Sequence, residues 1–456
     1  MNICNTDAFK SYDIRGTLPT QINEVFAYRL GRACALFLSA SRMAVGYDAR
    51  LSSPSLAQAL MEGLVDGGVK VLDLGLVGTE EIYFASAFLK LDAAIMVTAS
   101  HNPAHYNGMK LVGKKSKPIS GDNGLESIRK LVALADFPKP SGIDYSQSIT
   151  TFNISDPYTT CILGFIEVKH CKPLKIVVNA GNGVAGHMLD ALAKYLPFTF
   201  IRIHFEPDGH FPNGIPNPLL PDRRQSTKDA VIEHQADLGI AWDGDADRCF
   251  LFDEQGRFVD AYYVVGLLAE VFLQLEPGAC IIHESRCSWL AQDLAQRYKG
   301  KALSSPAGHA LIKQKMRQFD AIYGGELSAH HYFRDFNYCD SGMIPWLLVA
   351  QLINTRDLSM SKLVESYQQQ LVISGEINMQ LNNAELATLA VYEFYAGQFE
   401  SDDNSDGLSL EFKDWRFNLR QSASEPLLRL NIESRLSQAF VSEKTLEIQR
   451  ILKPFM

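Results

Sequence analysis

Residues 174–196 read LKIVVNAGNGVAGHMLDALAKYL, and this stretch decides the fold. An apolar run is followed by a glycine-rich turn and then by apolar residues at helical spacing. Strand, turn and amphipathic helix in that order make one α/β unit.

The same rhythm extends in both directions. Upstream, MAVGYDAR (43–50) is a strand running out into a loop. SPSLAQALMEGLVDGG (53–68) is a helix with Ser53 as N-cap, Pro54 at its first position and a closing glycine pair. VKVLDLG (69–75) and AAIMVTA (93–99) are further strands. Downstream, ADLGIAWDGDADRCFLFDEQG (236–256) reads as strand, acidic loop, strand. YYVVGLLAEVFLQL (262–275) is a helix, ACIIHES (279–285) a strand, and QFDAIYGGELSAHHYF (318–333) a strand ending in a glycine pair. From SGEINMQL (374–381) onward, strands alternating with period two dominate. The expected fold class is α/β, with three related α/β mixed-sheet domains and a smaller C-terminal α+β domain. The expected boundaries are 1–148, 149–254, 255–370 and 371–456.

The chain has 456 residues, 46% hydrophobic, and a net charge of -9. That length supports several packed cores. The acidic balance argues against nucleic acid as a partner, which needs a basic face, but not against a local cationic site for an anionic small molecule. The eight cysteines show no CxxC pair, so free thiols in a reducing compartment are expected. The N-terminal stretch lacks the basic and apolar regions of a signal peptide, and no apolar run reaches membrane-spanning length. A cytoplasmic protein with no membrane partner is the expectation.

Chemistry concentrates in a few loops. IMVTASHNP (95–103) ends an apolar run at Ser100 and His101. Strand ends are where α/β proteins place reactive groups, yet a serine there also serves as a cap or a turn residue. No GxSxG elbow surrounds it, so a hydrolase is not indicated. WDGDADR places Asp243, Asp245 and Asp247 at alternate positions, followed by Arg248. Carboxylates this dense are tolerated when a hard cation neutralises them. An EF-hand is ruled out, because Arg248 stands where that loop needs glycine and the flanks are strands. Mg²⁺ keeps open positions for phosphate oxygens, which points to a phosphate substrate. RQSASEPLLRL carries Arg420, Ser422, Ser424 and Arg429, donors suited to phosphate. GGELSAHH carries Glu326, Ser328 and His330, which suit sugar hydroxyls or a polar strand end. Arg15, Lys110, Arg286 and His309 are scattered cationic candidates whose grouping the sequence leaves open.

Taken together, SYDIRG, VTASHNP, YNGMKLV, FPNGIPNPLLP, DGDADRCFLFD, YGGELSAHHYFRDF, YCDSGMIPW and DWRFNLRQSASEP resemble the α-D-phosphohexomutase superfamily in order and spacing, over essentially the whole chain. Within it the motifs are most similar to the bacterial phosphomannomutases that supply GDP-mannose synthesis. The resemblance implies three α/β domains and a fourth of the TATA-binding-protein-like type. It implies an isomerase that interconverts mannose 6-phosphate and mannose 1-phosphate through a phosphoserine and a hexose 1,6-bisphosphate, with the same chemistry on glucose phosphates as the alternative. A non-catalytic sugar-phosphate binder is the remote one.

By the same resemblance, Ser100 carries the phosphoryl group and Asp243, Asp245 and Asp247 hold Mg²⁺ with it. Arg15, His101, Lys110 and Arg248 surround the phosphoserine, and His309 is an acid/base candidate. Arg286, Glu326, Ser328 and His330 meet the sugar, while Arg420, Ser422, Ser424 and Arg429 clamp the phosphate that does not react. Hexose 1,6-bisphosphate is the expected activator, and a monomer or homodimer the expected assembly. Three departures stand out: Ala423 replaces a polar residue of the family's phosphate loop, Leu327 a common Met, and Ser305-Pro306-Ala307 lacks the basic residue frequent before Gly308-His309.

Overall fold

The structure, a computed structural model, describes residues 5–140, 142, 144–421 and 427–456. The chain forms two compact units. One comprises Met1–Val259 with Ser328–Met360, the other Asp260–Leu327 with Ser361–Met456.

The first unit contains a six-stranded sheet in the order Ile14–Thr17, Tyr106–Gly113, Ala93–Val97, Arg42–Tyr47, Lys70–Leu76, Ile149–Thr151. Ala93–Val97 and Lys70–Leu76 run parallel to Arg42–Tyr47, while Tyr106–Gly113 turns back antiparallel to Ala93–Val97. Every residue of Ala93–Val97 is buried, which is why its sequence is an unbroken apolar run rather than an alternating one. Helices Glu24–Leu38 and Ser53–Asp66 cross at glycines. A Cβ at Gly63 would stand 2.1 Å from the Tyr28 carbonyl oxygen, and one at Gly31 2.3 Å from that of Leu60, so larger residues would force the helices apart. The N-cap of the second helix is Ser52, not Ser53. The Ser53 hydroxyl instead donates to buried Asp48 Oδ1 at 2.6 Å, a charge-assisted bond that outweighs capping.

The LKIVVN stretch is strand Lys175–Asn179 and leads through the glycine turn to helix Ala185–Ala193. The sheet around it has the order Cys249–Phe252, Leu238–Trp242, Lys175–Asn179, Thr199–Ile203. Its edge pair is antiparallel, so the acidic loop between Trp242 and Cys249 is a tight reversal. The same unit includes the antiparallel pair His331–Phe333 and Cys339–Asp340, followed by helix Ile344–Arg356.

The second unit has three parallel strands, Lys301–Ser305, Cys280–Glu284 and Tyr323–Gly325, with helices Ala261–Leu275, Trp289–Arg297 and His309–Phe319. Its C-terminal part is an antiparallel sheet in the order Val372–Ile373, Leu427–Ser434, Trp415–Gln421, Leu408–Glu411, Ser401–Asp403, with Ile377–Gln380 also on Leu427–Ser434. Helices Ala384–Phe394 and Gln438–Leu452 contribute to its core, which includes Phe417, Leu419, Leu430, Ile432, Val391 and Ile448. The expected three α/β parts and the smaller α+β end are thus the observed architecture. Among the described residues the cysteines are free thiols, and no helix is long and apolar enough to cross a membrane.

Candidate active site

Ser100 leaves strand Ala93–Val97 in the left-handed region, at φ 50°, and is 3% exposed. That conformation costs about 1–2 kcal/mol for a residue with a Cβ. Three neighbours over-determine it. The Ser100 amide donates to Thr98 Oγ1 at 2.8 Å, and that hydroxyl donates to Asp48 Oδ2 at 2.6 Å. The Arg50 guanidinium, almost wholly buried, donates to four carbonyls of the loop: Ser100 at 2.8 Å, Asn102 at 2.6 Å, Pro103 at 2.8 Å and Tyr106 at 3.0 Å. Asp48 balances its charge, with Arg50 Nε 3.2 Å from Asp48 Oδ2. The loop is a rigid mount, not a free turn.

The Ser100 hydroxyl has two claimants for its proton. Asp243 Oδ2 lies at 2.7 Å and His101 Nδ1 at 3.0 Å. The nearer, charged acceptor makes the stronger bond. Arg248 Nη2 donates to Ser100 Oγ at 3.0 Å and also to His101 Nδ1, which is therefore the unprotonated nitrogen of the ring. Burial, and then the charge of Arg248, holds His101 well below the usual histidine range. His101 is thus a neutral imidazole fixed beside the hydroxyl.

The acidic loop approaches Ser100 directly. A Cβ at Gly244 would stand 2.6 Å from the Ser100 carbonyl oxygen, so only glycine permits that approach. Asp243, Asp245 and Asp247 are buried, and one oxygen from each lies within 4.8 Å of the others. Arg248 Nη2 donates to Asp243 Oδ2 at 2.6 Å. Lys110, on strand Tyr106–Gly113, donates to Asp245 Oδ2 at 2.6 Å and to Asp247 Oδ2 at 2.5 Å. Burial alone would lower the Lys110 pKa, but the charges of Asp245 and Asp247 reverse that and hold it above the usual range. Burial pushes Asp243 up, against the pull of Arg248. Thr79 Oγ1 donates to Asp245 Oδ2 at 2.6 Å.

Among the described residues, Asp245 Oδ1 and Asp247 Oδ1 are buried with no hydrogen-bond partner. Buried carboxylate oxygens are rarely left so. All-oxygen donors, closely grouped and with orphaned lone pairs, fit a hard divalent cation. The residues present therefore suit a metal ion.

His330 Nε2 lies 3.6 Å from Asp247 Oδ1 and 3.8 Å from Asp340 Oδ2, and its Nδ1 is 2.9 Å from Ser328 Oγ. His330 and Ser328 thus stand beside the acidic loop. Arg15 donates to Asn102 Oδ1 at 2.8 Å and to Asp13 Oδ2 at 2.6 Å, which places it against the Ser100 loop.

The remaining candidates lie in the second unit. Arg286 Nη2 donates to buried Glu284 Oε2 at 2.9 Å, and its Nη1 to Glu376 Oε2. Arg420 Nε is 2.8 Å from Asp406 Oδ1, and Arg429 Nη1 is 3.6 Å from Glu376 Oε1. Glu326 Oε1 accepts from the Gly308 amide at 2.8 Å, just before His309 opens helix His309–Phe319. Ser422 and Ser424 lie outside the described residues.

Three family models match the chain. Residues 6–139, 156–256 and 260–370 match those of phosphoglucomutase/phosphomannomutase, alpha/beta/alpha domains I, II and III respectively. The chain belongs to this family. Curated members of the mutase family include a phosphomannomutase of Escherichia coli, 53% identical over 98% of this chain and 99% of its own. A protein of Xanthomonas campestris named phosphohexose mutases is 49% identical, over 98% of this chain and 99% of its own. The crystal structure of a phosphoglucomutase/phosphomannomutase family protein from Burkholderia thailandensis superposes with a TM-score of 0.88 at 31% identity. It covers 99% of this chain and 98% of the other.

Sequence reasoning missed several residues of this mutase. Asp48 and Arg50 stand in MAVGYDAR, a segment read only as a strand end, though a charged pair at the close of an apolar strand was a usable signal. Thr98, Asp340, Glu284 and Glu376 carried no comparable mark, since each acquires its role from a distant partner.

Proposed function

We propose that the chain is a phosphomannomutase that interconverts mannose 6-phosphate and mannose 1-phosphate, with Ser100 as the phosphoryl carrier. The observation that carries this reading is the Ser100 hydroxyl, rigidly mounted 2.7 Å from Asp243 within an acidic loop that has orphaned oxygens. A serine so placed is well suited to carry a phosphate next to a cation.

In the proposed cycle a free hydroxyl oxygen of the hexose phosphate attacks the phosphorus of phospho-Ser100. The new P–O bond forms as the P–Oγ bond breaks, and the sugar hydroxyl gives up its proton to a base, for which His309 is the candidate. Ser100 Oγ leaves toward Arg248 Nη2, whose charge stabilises it, and takes a proton from water, which balances the one given to the base. The hexose 1,6-bisphosphate so formed returns its other phosphate to Ser100 by the same steps reversed, and free bisphosphate acts as the activator. Asp243, Asp245 and Asp247, with an oxygen of the phosphoserine, would hold Mg²⁺, which supplies charge neutralisation at the phosphoryl oxygens. Lys110, Arg15, His101 and His330 orient and neutralise around Ser100. Arg420, Ser422, Ser424 and Arg429 bind phosphate; Arg286, which the resemblance sets beside the sugar, shares Glu376 with Arg429 and is read here as a phosphate ligand too, while Glu326 and Ser328 read sugar hydroxyls. In this reading residues 1–148, 149–254, 255–370 and 371–456 supply the phosphoserine, metal, sugar and phosphate loops in turn. The protein acts in the cytoplasm, as a monomer or homodimer, and its product feeds GDP-mannose synthesis.

Intact mass before and after incubation with hexose 1,6-bisphosphate tests this. One phosphoryl group should appear on the wild type and none on Ser100→Ala, and it should transfer to mannose 6-phosphate. A variant that still carries and passes the group would overturn the assignment. The relative named phosphohexose mutases favours a second reading, dual use of mannose and glucose phosphates. Comparable kcat/KM values for mannose 1-phosphate and glucose 1-phosphate would establish it.

A further inference from the structure

Arg420 and Arg429 stand directly opposite each other on the neighbouring antiparallel strands Trp415–Gln421 and Leu427–Ser434. Residues so paired share a face of the sheet, and like charges there repel. The repulsion is met by carboxylates. Arg420 pairs with Asp406, and Arg429 with Glu376, which also binds Arg286. Arg286 is held on its other side by Glu284. Among the described residues each of the three guanidinium groups thus already meets a carboxylate, and Glu326 adds further negative charge beside Arg286.

The three carboxylates are not equivalent. Glu284 is fully buried and grips Arg286 with both oxygens, at 2.8 and 2.9 Å. Asp406 is pinned, because its Oδ2 also accepts from Ser285 Oγ and from the Ala307 amide, each at 3.0 Å. Glu376 alone combines a long stem with contact to water, its side chain being 29% exposed. It follows Gly375, whose φ of 67° turns the chain just before strand Ile377–Gln380. Among these three it is the one free to leave.

We propose that Glu376 is a resident stand-in for a phosphate group. Its carboxylate keeps Arg286 and Arg429 together while no ligand is bound, and an arriving phosphate takes its place. The inference rests on the phosphate-binding role proposed above for these arginines. The physical reason is charge competition: guanidinium groups already paired with carboxylates accept a dianion readily only when one of those carboxylates gives way. Glu284 and Asp406 remain to aim Arg286 and Arg420, so the arginines keep their forks directed at the incoming oxygens. Glu376 therefore sets phosphate affinity by competing for the same donors, which keeps product release from being slow.

The test is titration of Glu376→Gln with inorganic phosphate by calorimetry, beside the wild type. Removing the competing charge should tighten phosphate binding by about fivefold or more. KM for the hexose phosphate should fall by a similar factor, without a matching gain in kcat. Glu376→Asp, whose shorter stem cannot span both arginines, should shift in the same direction. A residue that merely braced the arginines would give weaker phosphate binding in both variants, and that result, or no change, overturns the inference. The phosphate titration requires no turnover. Tightening in a protein that lacks mutase activity would sink the phosphomannomutase reading and leave this one standing, whereas active enzyme without tightening would do the reverse.

Discussion

The surroundings of Ser100 and the cluster of Arg286, Arg420 and Arg429 follow opposite electrostatic plans. Around Ser100, the carboxylates of Asp243, Asp245 and Asp247 meet two nearby cations, Lys110 and Arg248, and among the described residues two of their oxygens have no hydrogen-bond partner. In the arginine cluster every guanidinium already has a carboxylate partner. The first arrangement gains by adding a cation. The second gains an anion only by exchange. Burial separates them further, since the acidic loop is closed to water whereas Glu376 reaches it.

Substitutions at the two regions should therefore fail in different ways. The largest effect is expected from Ser100→Ala, which removes the oxygen proposed to carry the phosphoryl group and should abolish mutase turnover in a coupled assay with bisphosphate activator. Wild-type turnover in that variant would break the comparison at its root. Asp245→Asn removes a charge from the loop without changing its shape. It should weaken the apparent affinity for Mg²⁺ by more than about a hundredfold, since even residues behind metal ligands cost 10–100-fold. An unchanged metal titration would mean that the orphaned oxygens are not a cation site.

Arg50→Met tests the mount rather than the chemistry. It strands buried Asp48 and four loop carbonyls, so unfolding measured in urea should show a loss of about 3–5 kcal/mol, with activity falling as the Ser100 loop loosens. A loss under about 1 kcal/mol would show that the loop holds its left-handed turn unaided.

The smallest effect concerns the base of the arginine cluster. His283 precedes Glu284, is buried, and its Nδ1 lies 2.9 Å from the Glu284 carbonyl oxygen, to which it donates. Burial lowers its pKa to about 4 from the usual 6.5. The unfolded chain therefore binds the extra proton first, and stability is lost as pH falls from the unfolded value toward 4. Relative to His283→Gln, the wild type should lose on the order of 2–3 kcal/mol across that window, and parallel pH profiles would remove His283 from the account.

The strand and helix order of the α/β parts was legible because buried parallel strands are unbroken apolar runs and their helices carry spaced leucines. The acidic loop was legible because three aspartates at alternate positions between apolar strands repel one another unless cations balance them. Ser100 was ambiguous by itself, since a serine at a strand end is equally a turn residue. Its reading turned on Asp243, 143 positions away. Ser53 was misplaced as an N-cap because a buried Asp48 claims its hydroxyl, a competition no local pattern reveals.

The sequence by itself determined the secondary-structure rhythm, the family and the residue types proposed to meet phosphate and metal, because those follow from local periodicity, from the order of the motifs and from the donor sets of single loops. Only the tertiary structure decided that Ser100 is held in a left-handed turn by Arg50, that Lys110 bridges Asp245 and Asp247, and that Glu376 joins Arg286 to Arg429. Each of these is a charge balanced across a long stretch of chain. Electrostatic pairing depends on distance in space, which the sequence does not record.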